Sequence, residues 1–246
     1  MDFLRSHSPK KQLKKQLKKR ILTASLLLGC GVTAYALLVR LELAMPPSQI
    51  PAVLCLPDCQ KEQSVHLKAT RATSSESVDT TDYLNSSQKL QELLEDNFDK
   101  EKVSLLVEKS SYRLTIFYQG EPVKAYPTVF GTAPVGDKFA EGDHKTPEGI
   151  YRVRDLYDHP EWSKFIWLDY PTPQDWQEHA QAKLAGDIPP QVTIGSEVGI
   201  HGVPAGADSL IDQKTNWTWG CVSLKNKDVD EIYTAIRSGT LVEIVP

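Results

Sequence analysis

Residues 103–129 read V-S-L-L-V-E-K-S-S-Y-R-L-T-I-F-Y-Q-G-E-P-V-K-A-Y-P-T-V, and this stretch decides the fold class. From Val103 onward the pattern has a period of two. Tyr112, Leu114, Ile116 and Tyr118 alternate with Arg113, Thr115, Phe117 and Gln119. Such alternation sends successive side chains to opposite faces of a sheet. Lys109-Ser110-Ser111 and Gln119-Gly120-Glu121-Pro122 carry turn residues, so three strands fold into an antiparallel meander. Glycines at 131, 136, 142 and 149 mark residues 131–149 as loop, and G-I-Y-R-V-R from Gly149 is the next strand. Short strands are predicted at residues 191–194, 198–201 and 241–245. Helices are predicted from Pro173 to about Leu184, within a Trp- and Tyr-rich insertion at 155–190, and from an N-cap at Asn226 to Gly239. In the second helix Val229, Ile232, Tyr233 and Ile236 share one face. A further helix is expected near residues 85–98, where Leu90, Leu93, Leu94 and Phe98 form a stripe. The expectation is a mainly β domain with peripheral helices over residues 102–246.

Upstream of that domain the composition changes. The 246 residues leave room for one medium domain plus appendages, and the chain carries a formal charge of −4. Residues 1–20 hold eight Lys and Arg against one Asp. The run I-L-T-A-S-L-L-L-G-C-G-V-T-A-Y-A-L-L-V from Ile21 to Val39 follows directly, without a charge, and Arg40 closes it. At about 1.5 Å per residue this run approaches the ~30 Å of a hydrocarbon core. The basic end therefore reads as a membrane flank rather than a nucleic-acid arm. Lysine-rich flanks stay cytoplasmic, so 1–20 is expected inside, 21–39 as a single-pass signal anchor, and the remainder outside. Lipid attachment at Cys30 and cleavage near 44–47 are the competing readings, and both export the domain as well. Residues 40–101, rich in Pro, Ser, Thr and Gln and carrying the one predicted helix, read as a stalk.

The chemistry concentrates between Gly199 and Asn226. The segment opens on G-I-H-G-V-P and closes on N-W-T-W-G-C-V-S-L-K-N. Of the four cysteines, Cys30 lies in the apolar run, and Cys55 and Cys59 lie close enough to bridge or to remain two thiols of a stalk. Cys221 is the odd thiol. A thiol becomes a nucleophile when a neighbouring base takes its proton or a cation lowers its pKa. His201 is the candidate base, and a Cys221–His201 pair is expected to hold the thiol below its ordinary range. Gly220 permits a tight turn that aims the Gly220 and Cys221 amides at a developing oxyanion. A small, buried, inert cysteine is the competing reading. No cluster of Cys and His has zinc-ligand spacing, so no metal is expected. His144, in G-D-H-K-T-P, reads as an exposed loop residue, and Asp143 and Glu148 as turn residues. Trp162, Trp167, Tyr170 and Trp176 form either a substrate lid or the packing of the insertion.

Thr218-x-Gly220-Cys221 downstream of Gly199-Ile200-His201-Gly202 resembles the YkuD-type L,D-transpeptidases. Y-P-T-V-F-G at 126–131, E-G-D-H-K-T-P-E-G-I-Y at 141–151, L-D-Y-P at 168–171 and the terminal G-T-L-V-E-I-V-P match that family in order. The resemblance covers about 102–246 and implies a β-sandwich-type catalytic domain. It carries the role of nucleophile onto Cys221 and that of base onto His201, with Thr218 and Gly220 shaping the turn. Gly202, Trp219, Ser223 and Tyr170 are expected to contact substrate. The implied reaction is acyl transfer from a peptidoglycan tetrapeptide stem. The thiolate attacks the amide after the L-centre of diaminopimelate, D-alanine leaves, and an amine resolves the thioester. The outcome is a 3→3 cross-link in cell-wall biogenesis or an attached envelope protein. No cofactor is implied, and the location is the outer side of the cytoplasmic membrane, in the periplasm or envelope. Many members carry Ser-His-Gly-Cys-Ile-Arg where this chain has Thr218-Trp219-Gly220-Cys221-Val222-Ser223, so a second histidine and a cleft arginine are missing. That departure leaves the acyl acceptor open. A hydrolase that edits peptidoglycan or releases attached protein, and a non-catalytic wall-binding scaffold, are the alternatives.

Overall fold

The computed structural model describes residues 31–44, 46–47, 83–94 and 97–246. Eight strands are present among them: β1 (Val103–Glu108), β2 (Arg113–Tyr118), β3 (Glu121–Pro127), β4 (Gly149–His159), β5 (Ser163–Leu168), β6 (Gly199–His201), β7 (Val222–Ser223) and β8 (Leu241–Val245). The helices of the domain region are α1 (Leu90–Leu93), α2 (Pro173–Ala185), α3 (Ser209–Asp212) and α4 (Asn226–Ala235).

The period-two stretch forms its meander, with β1 antiparallel to β2 and β2 to β3. Val103, Leu105 and Val107 of β1 and Leu114 and Ile116 of β2 are buried, as the alternation requires. The distant β8 then lies parallel beside β1, pairing Leu105 with Val242 and Val107 with Ile244. The strand order is β3-β2-β1-β8-β4-β5-β6-β7. The sandwich expectation resolves into one curled sheet, because the 11-residue β4 serves both halves. Its first part pairs with β8 and its later part with β5, with a shift of register between Val153 and Asp155. Beyond β3, Val129 bridges to Ser223 and Gly131 to Thr218. The continuation of one edge strand thus reaches the other edge, next to Cys221. Helix α4 covers the curl, burying Val229, Ile232 and Ala235, and packs on β5.

Several elements differ from expectation for local reasons. Only Leu90–Leu93 is helical where a helix over 85–98 is predicted. The Leu84 carbonyl accepts from the Ala125 amide at 3.0 Å, and the Asn85 side chain donates to the Val123 carbonyl at 2.8 Å. This stretch spends its hydrogen bonds on the β3 edge rather than on its own turns. Residues 191–194 form no strand: Thr193 O accepts from Glu141 N at 2.7 Å, and Ile194 N donates to the Glu42 carboxylate at 3.1 Å. The aromatic insertion contains β5, which its content of rings obscured. Asn226 is the first residue of α4 rather than its cap, and its Oδ1 accepts from Val203 N at 3.0 Å. Helix α2 starts where Thr172, Pro173 and Asp175 place it, with a capping box, and ends at Gly186 in the left-handed region.

Of the uncharged run, residues 21–30 lie outside the described residues and 31–40 are helical. Among the described residues no helix is long and apolar enough to cross a membrane. The basic segment 1–20, Cys30, Cys55 and Cys59 also lie outside the described residues.

Candidate active site

The parallel pairing of β6 with β7 sets Ile200 opposite Val222 and His201 opposite Ser223. Cys221 immediately precedes β7. With a side-chain period of two, Cys221 and His201 fall on the same face of neighbouring strands, one step to either side of the Ile200–Val222 pair. The sequence-predicted pair is thus brought together by the sheet.

Cys221 is half-buried at the floor of a cleft of about 680 Å³. Three segments build the walls: the loop with Lys138, Glu141 and His144; the β4–β5 hairpin with Tyr157, His159, Trp162 and Trp167; and residues 195–198. The turn before Cys221 is held by Thr218, whose Oγ1 donates to the Cys221 carbonyl at 2.7 Å and accepts from the Gly220 amide at 3.3 Å. Gly220 has φ +142°, and a β-carbon there would stand 2.7 Å from the Lys145 carbonyl. Only glycine lets this turn press so closely on the neighbouring loop. The Gly220 amide is therefore already committed to Thr218, contrary to its expected oxyanion role. The Cys221 amide has no acceptor among the described residues.

His201 is 2% exposed. Its ring is stacked on Trp162 at 4.3 Å between centroids, and Trp162 stacks in turn on His159 at 4.2 Å. The His201 Nδ1 lies 2.7 Å from the Gly202 carbonyl. A carbonyl oxygen only accepts, so Nδ1 carries the proton and Nε2 is left as the basic nitrogen. Burial pushes the imidazole from its ordinary 6.5 down to about 4, with the Gly202 carbonyl opposing and His159 adding slightly.

The thiol differs from expectation. Its Sγ donates to the Glu197 carbonyl at 3.6 Å, and no hydrogen bond joins it to His201. Burial pushes it from its ordinary 9.0 up to about 11; the Gly199 backbone and the Lys138 ammonium pull it down, and Glu197 pushes it up. The resting pair is a thiol and a neutral imidazole, not a preformed ion pair, because neither charge is solvated at the cleft floor. At pH 8, Cys221 is accordingly expected to react with iodoacetamide more slowly than a free thiol, and to gain rate through pH 10. A rate already at its plateau near pH 7, read on the Cys221 peptide by mass spectrometry, would mean that an ion pair exists after all.

The remaining sequence-predicted residues divide by location. Trp219 is 81% exposed on the cleft rim, stacked on His144 at 6.0 Å. Ser223 is fully buried; its hydroxyl donates to the Gly202 carbonyl at 3.2 Å and accepts from Trp217 Nε1 at 3.2 Å. Gly202 is packed so that a β-carbon would meet Asn226 Oδ1 at 2.0 Å. Tyr170 lies in the core, its hydroxyl donating to the Ile194 carbonyl at 3.0 Å. Ser223, Gly202 and Tyr170 thus support the site from behind and do not line the cleft. Lys138, His144 and Glu197 line it without having been singled out for it. His144 sits at φ +56° with Nδ1 2.9 Å from Thr132 Oγ1. Among the described residues no group of three or more His, Cys, Asp or Glu is arranged to hold a metal ion.

The family model of the YkuD L,D-transpeptidase catalytic domain matches residues 102–244. The chain belongs to this family. Solved structures similar to this L,D-transpeptidase-family chain include the helical cell shape determining protein Pgp2 from Campylobacter jejuni, at 24% identity and TM-score 0.43, covering 63% of this chain and 53% of that one. Bd1075 from Bdellovibrio bacteriovorus has 23% identity and TM-score 0.42, covering 67% and 54%. L,D-transpeptidase 3 from Mycobacterium tuberculosis, in complex with a faropenem-derived adduct, has 14% identity and TM-score 0.39, covering 59% and 60%. The chain thus spans little more than half the length of each. No curated protein matches the chain.

Proposed function

We propose that this chain is a peptidoglycan L,D-transpeptidase in which Cys221 is the nucleophile and His201 the base. The observation that carries the reading is the thiol at the cleft floor beside a buried histidine whose Nδ1 proton is taken by the Gly202 carbonyl. In that tautomer Nε2 accepts the thiol proton as sulfur attacks the amide between diaminopimelate and D-alanine. The carbon–nitrogen bond breaks, His201 returns the proton to the leaving amine, and D-alanine departs from a thioester on Cys221. The Cys221 amide, which lacks an acceptor among the described residues, is placed to receive the oxyanion. An amine then attacks the thioester, giving a 3→3 cross-link or an attached envelope protein. A low imidazole pKa suits this role, since the base must be neutral before attack. Residues 21–39 anchor the protein in the cytoplasmic membrane, with 1–20 inside, 40–101 as a stalk and the catalytic domain of 102–246 in the periplasm.

The test is mass spectrometry of muropeptides incubated with the purified chain. Release of D-alanine with a 3→3 linked dimer is expected. Release of D-alanine with tripeptide alone would make the protein a hydrolase, and unchanged muropeptides would leave the wall-binding scaffold.

A further inference from the structure

Lys138 is a lysine that the fold keeps almost out of solvent, 5% exposed, yet in the wall of the cleft that holds Cys221. Its ammonium donates to the Ala140 carbonyl at 3.0 Å and to Asp143 Oδ1 at 2.7 Å. Those bonds use two of its three protons among the described residues. The ammonium also stands 3.8 Å from the position a β-carbon on Gly220 would occupy, beside the turn that presents the thiol.

A purely structural role does not account for this placement. Asp143 holds its loop through three backbone amides: Phe139 at 2.9 Å, Ala140 at 3.0 Å and Lys145 at 3.0 Å. The loop therefore has its shape without the lysine. Burying an ammonium is costly, and a single carboxylate offsets that cost without saturating the donor. The remaining proton is available to an anion arriving in the cleft.

The chemistry of the proposed substrate supplies such an anion. When sulfur attacks the amide carbon, the leaving nitrogen is bonded to the α-carbon of the terminal D-residue. That carbon bears a free carboxylate, whose carbon falls within about 4 Å of the attacked carbon by ordinary backbone bond lengths. We propose that Lys138 binds the α-carboxylate of the leaving D-amino acid, and so selects stems whose scissile bond is followed by a chain terminus. The inference rests on the reading of the site given above. Glu141 and Glu197 also line the cleft, but Glu141 is tied to residues 193–195, its amide donating to Thr193 O at 2.7 Å. Their charges disfavour the carboxylate on that side and leave the Lys138 side to it. The same ammonium pulls the Cys221 thiol downward, which places it within electrostatic reach of the sulfur.

The experiment has two arms on the full chain. In the first, Cys221 is alkylated with iodoacetate and, separately, with iodoacetamide, and the adduct is followed on the Cys221 peptide. A cation beside the thiol favours the anionic reagent. Lys138→Met is expected to lower the iodoacetate-to-iodoacetamide rate ratio roughly tenfold, as for loss of one hydrogen bond to a charged group. Lys138→Arg is expected to keep most of it. A loosened loop would change both rates together, so an unchanged ratio in Lys138→Met overturns the anion site. In the second arm, a tetrapeptide stem ending in D-alanine is compared with the same stem ending in D-alaninamide. The wild type is expected to prefer the free acid by about tenfold or more in kcat/KM, with the preference lost in Lys138→Met chiefly through KM. A wild type that processes both stems equally overturns the carboxylate role and leaves the proposed function intact. A wild type that processes neither stem, yet keeps its preference for iodoacetate, overturns the proposed reaction while the anion site stands.

Discussion

Replacing Cys221 with alanine is expected to abolish D-alanine release, lowering turnover by at least about 10³-fold, and to remove any covalent adduct of the chain with a stem peptide. The expectation follows from what the side chain does and does not support. Cys221 is half-buried, its sulfur makes one long hydrogen bond to Glu197 O, and the turn around it is held by Thr218 and by the close approach of Gly220 to Lys145. Removal of the sulfur leaves those contacts in place, so the variant is expected to fold, with a melting temperature close to that of the wild type. A structural cysteine predicts the reverse: lost stability with turnover retained. Intact-protein mass spectrometry after brief exposure to stem peptide, run beside thermal denaturation of both proteins, separates the two. Turnover surviving in a folded Cys221→Ala chain would remove the nucleophile from the mechanism.

How much of this was legible in the sequence depends on where each residue's partners lie. The meander from Val103 to Pro127 was readable because alternation and turn residues are local signals. The strand at Leu241–Val245 was readable for the same reason, although its parallel place beside β1 was not, since pairing over such a separation leaves no mark in either segment. Strand β5 was missed because Ser163–Leu168 follows a bend in β4 and is packed with rings, which draw attention to composition rather than period. The region around Leu90 was overcalled as helix because its backbone partners, Val123 and Ala125, are thirty-odd residues away. At the site, the family's blocks pointed to Cys221 and His201, and the β6–β7 pairing sets them on one face. The direction of the thiol's hydrogen bond was not readable, since it ends on a backbone carbonyl, which every residue has. Lys138 was equally hidden: a lysine in a glycine-rich loop reads as solvated until the fold buries it against Asp143. The missing cleft arginine was visible as Ser223, and the buried lysine on the facing loop is the cation the cleft retains.

His201→Gln is expected to show both the catalytic role of the ring and its cost to the fold. Glutamine approximates the size of imidazole and can donate to the Gly202 carbonyl, but it offers no base. Turnover is expected to fall by roughly 10²–10⁴-fold, the usual range for loss of a positioned general base. The second readout is stability against pH. In the folded chain burial holds His201 at about 4, whereas an unfolded chain returns it to about 6.5. Between those values the unfolded state binds the extra proton and the folded state does not. Stability supported by the neutral ring is therefore full above pH 6.5 and is lost as pH falls toward 4. The gap corresponds to on the order of 3 kcal/mol. Buried Asp137 and Asp228, each pushed up to about 6 mainly by burial, act with the opposite sign: what they contribute is present at low pH and lost as pH rises through 6. Their effect is common to both proteins and cancels in the comparison. Urea denaturation at pH 7 and pH 5 should thus show a smaller loss of stability in His201→Gln than in the wild type. Equal losses would place His201 in contact with water, and a base so exposed would no longer be held neutral beside the thiol.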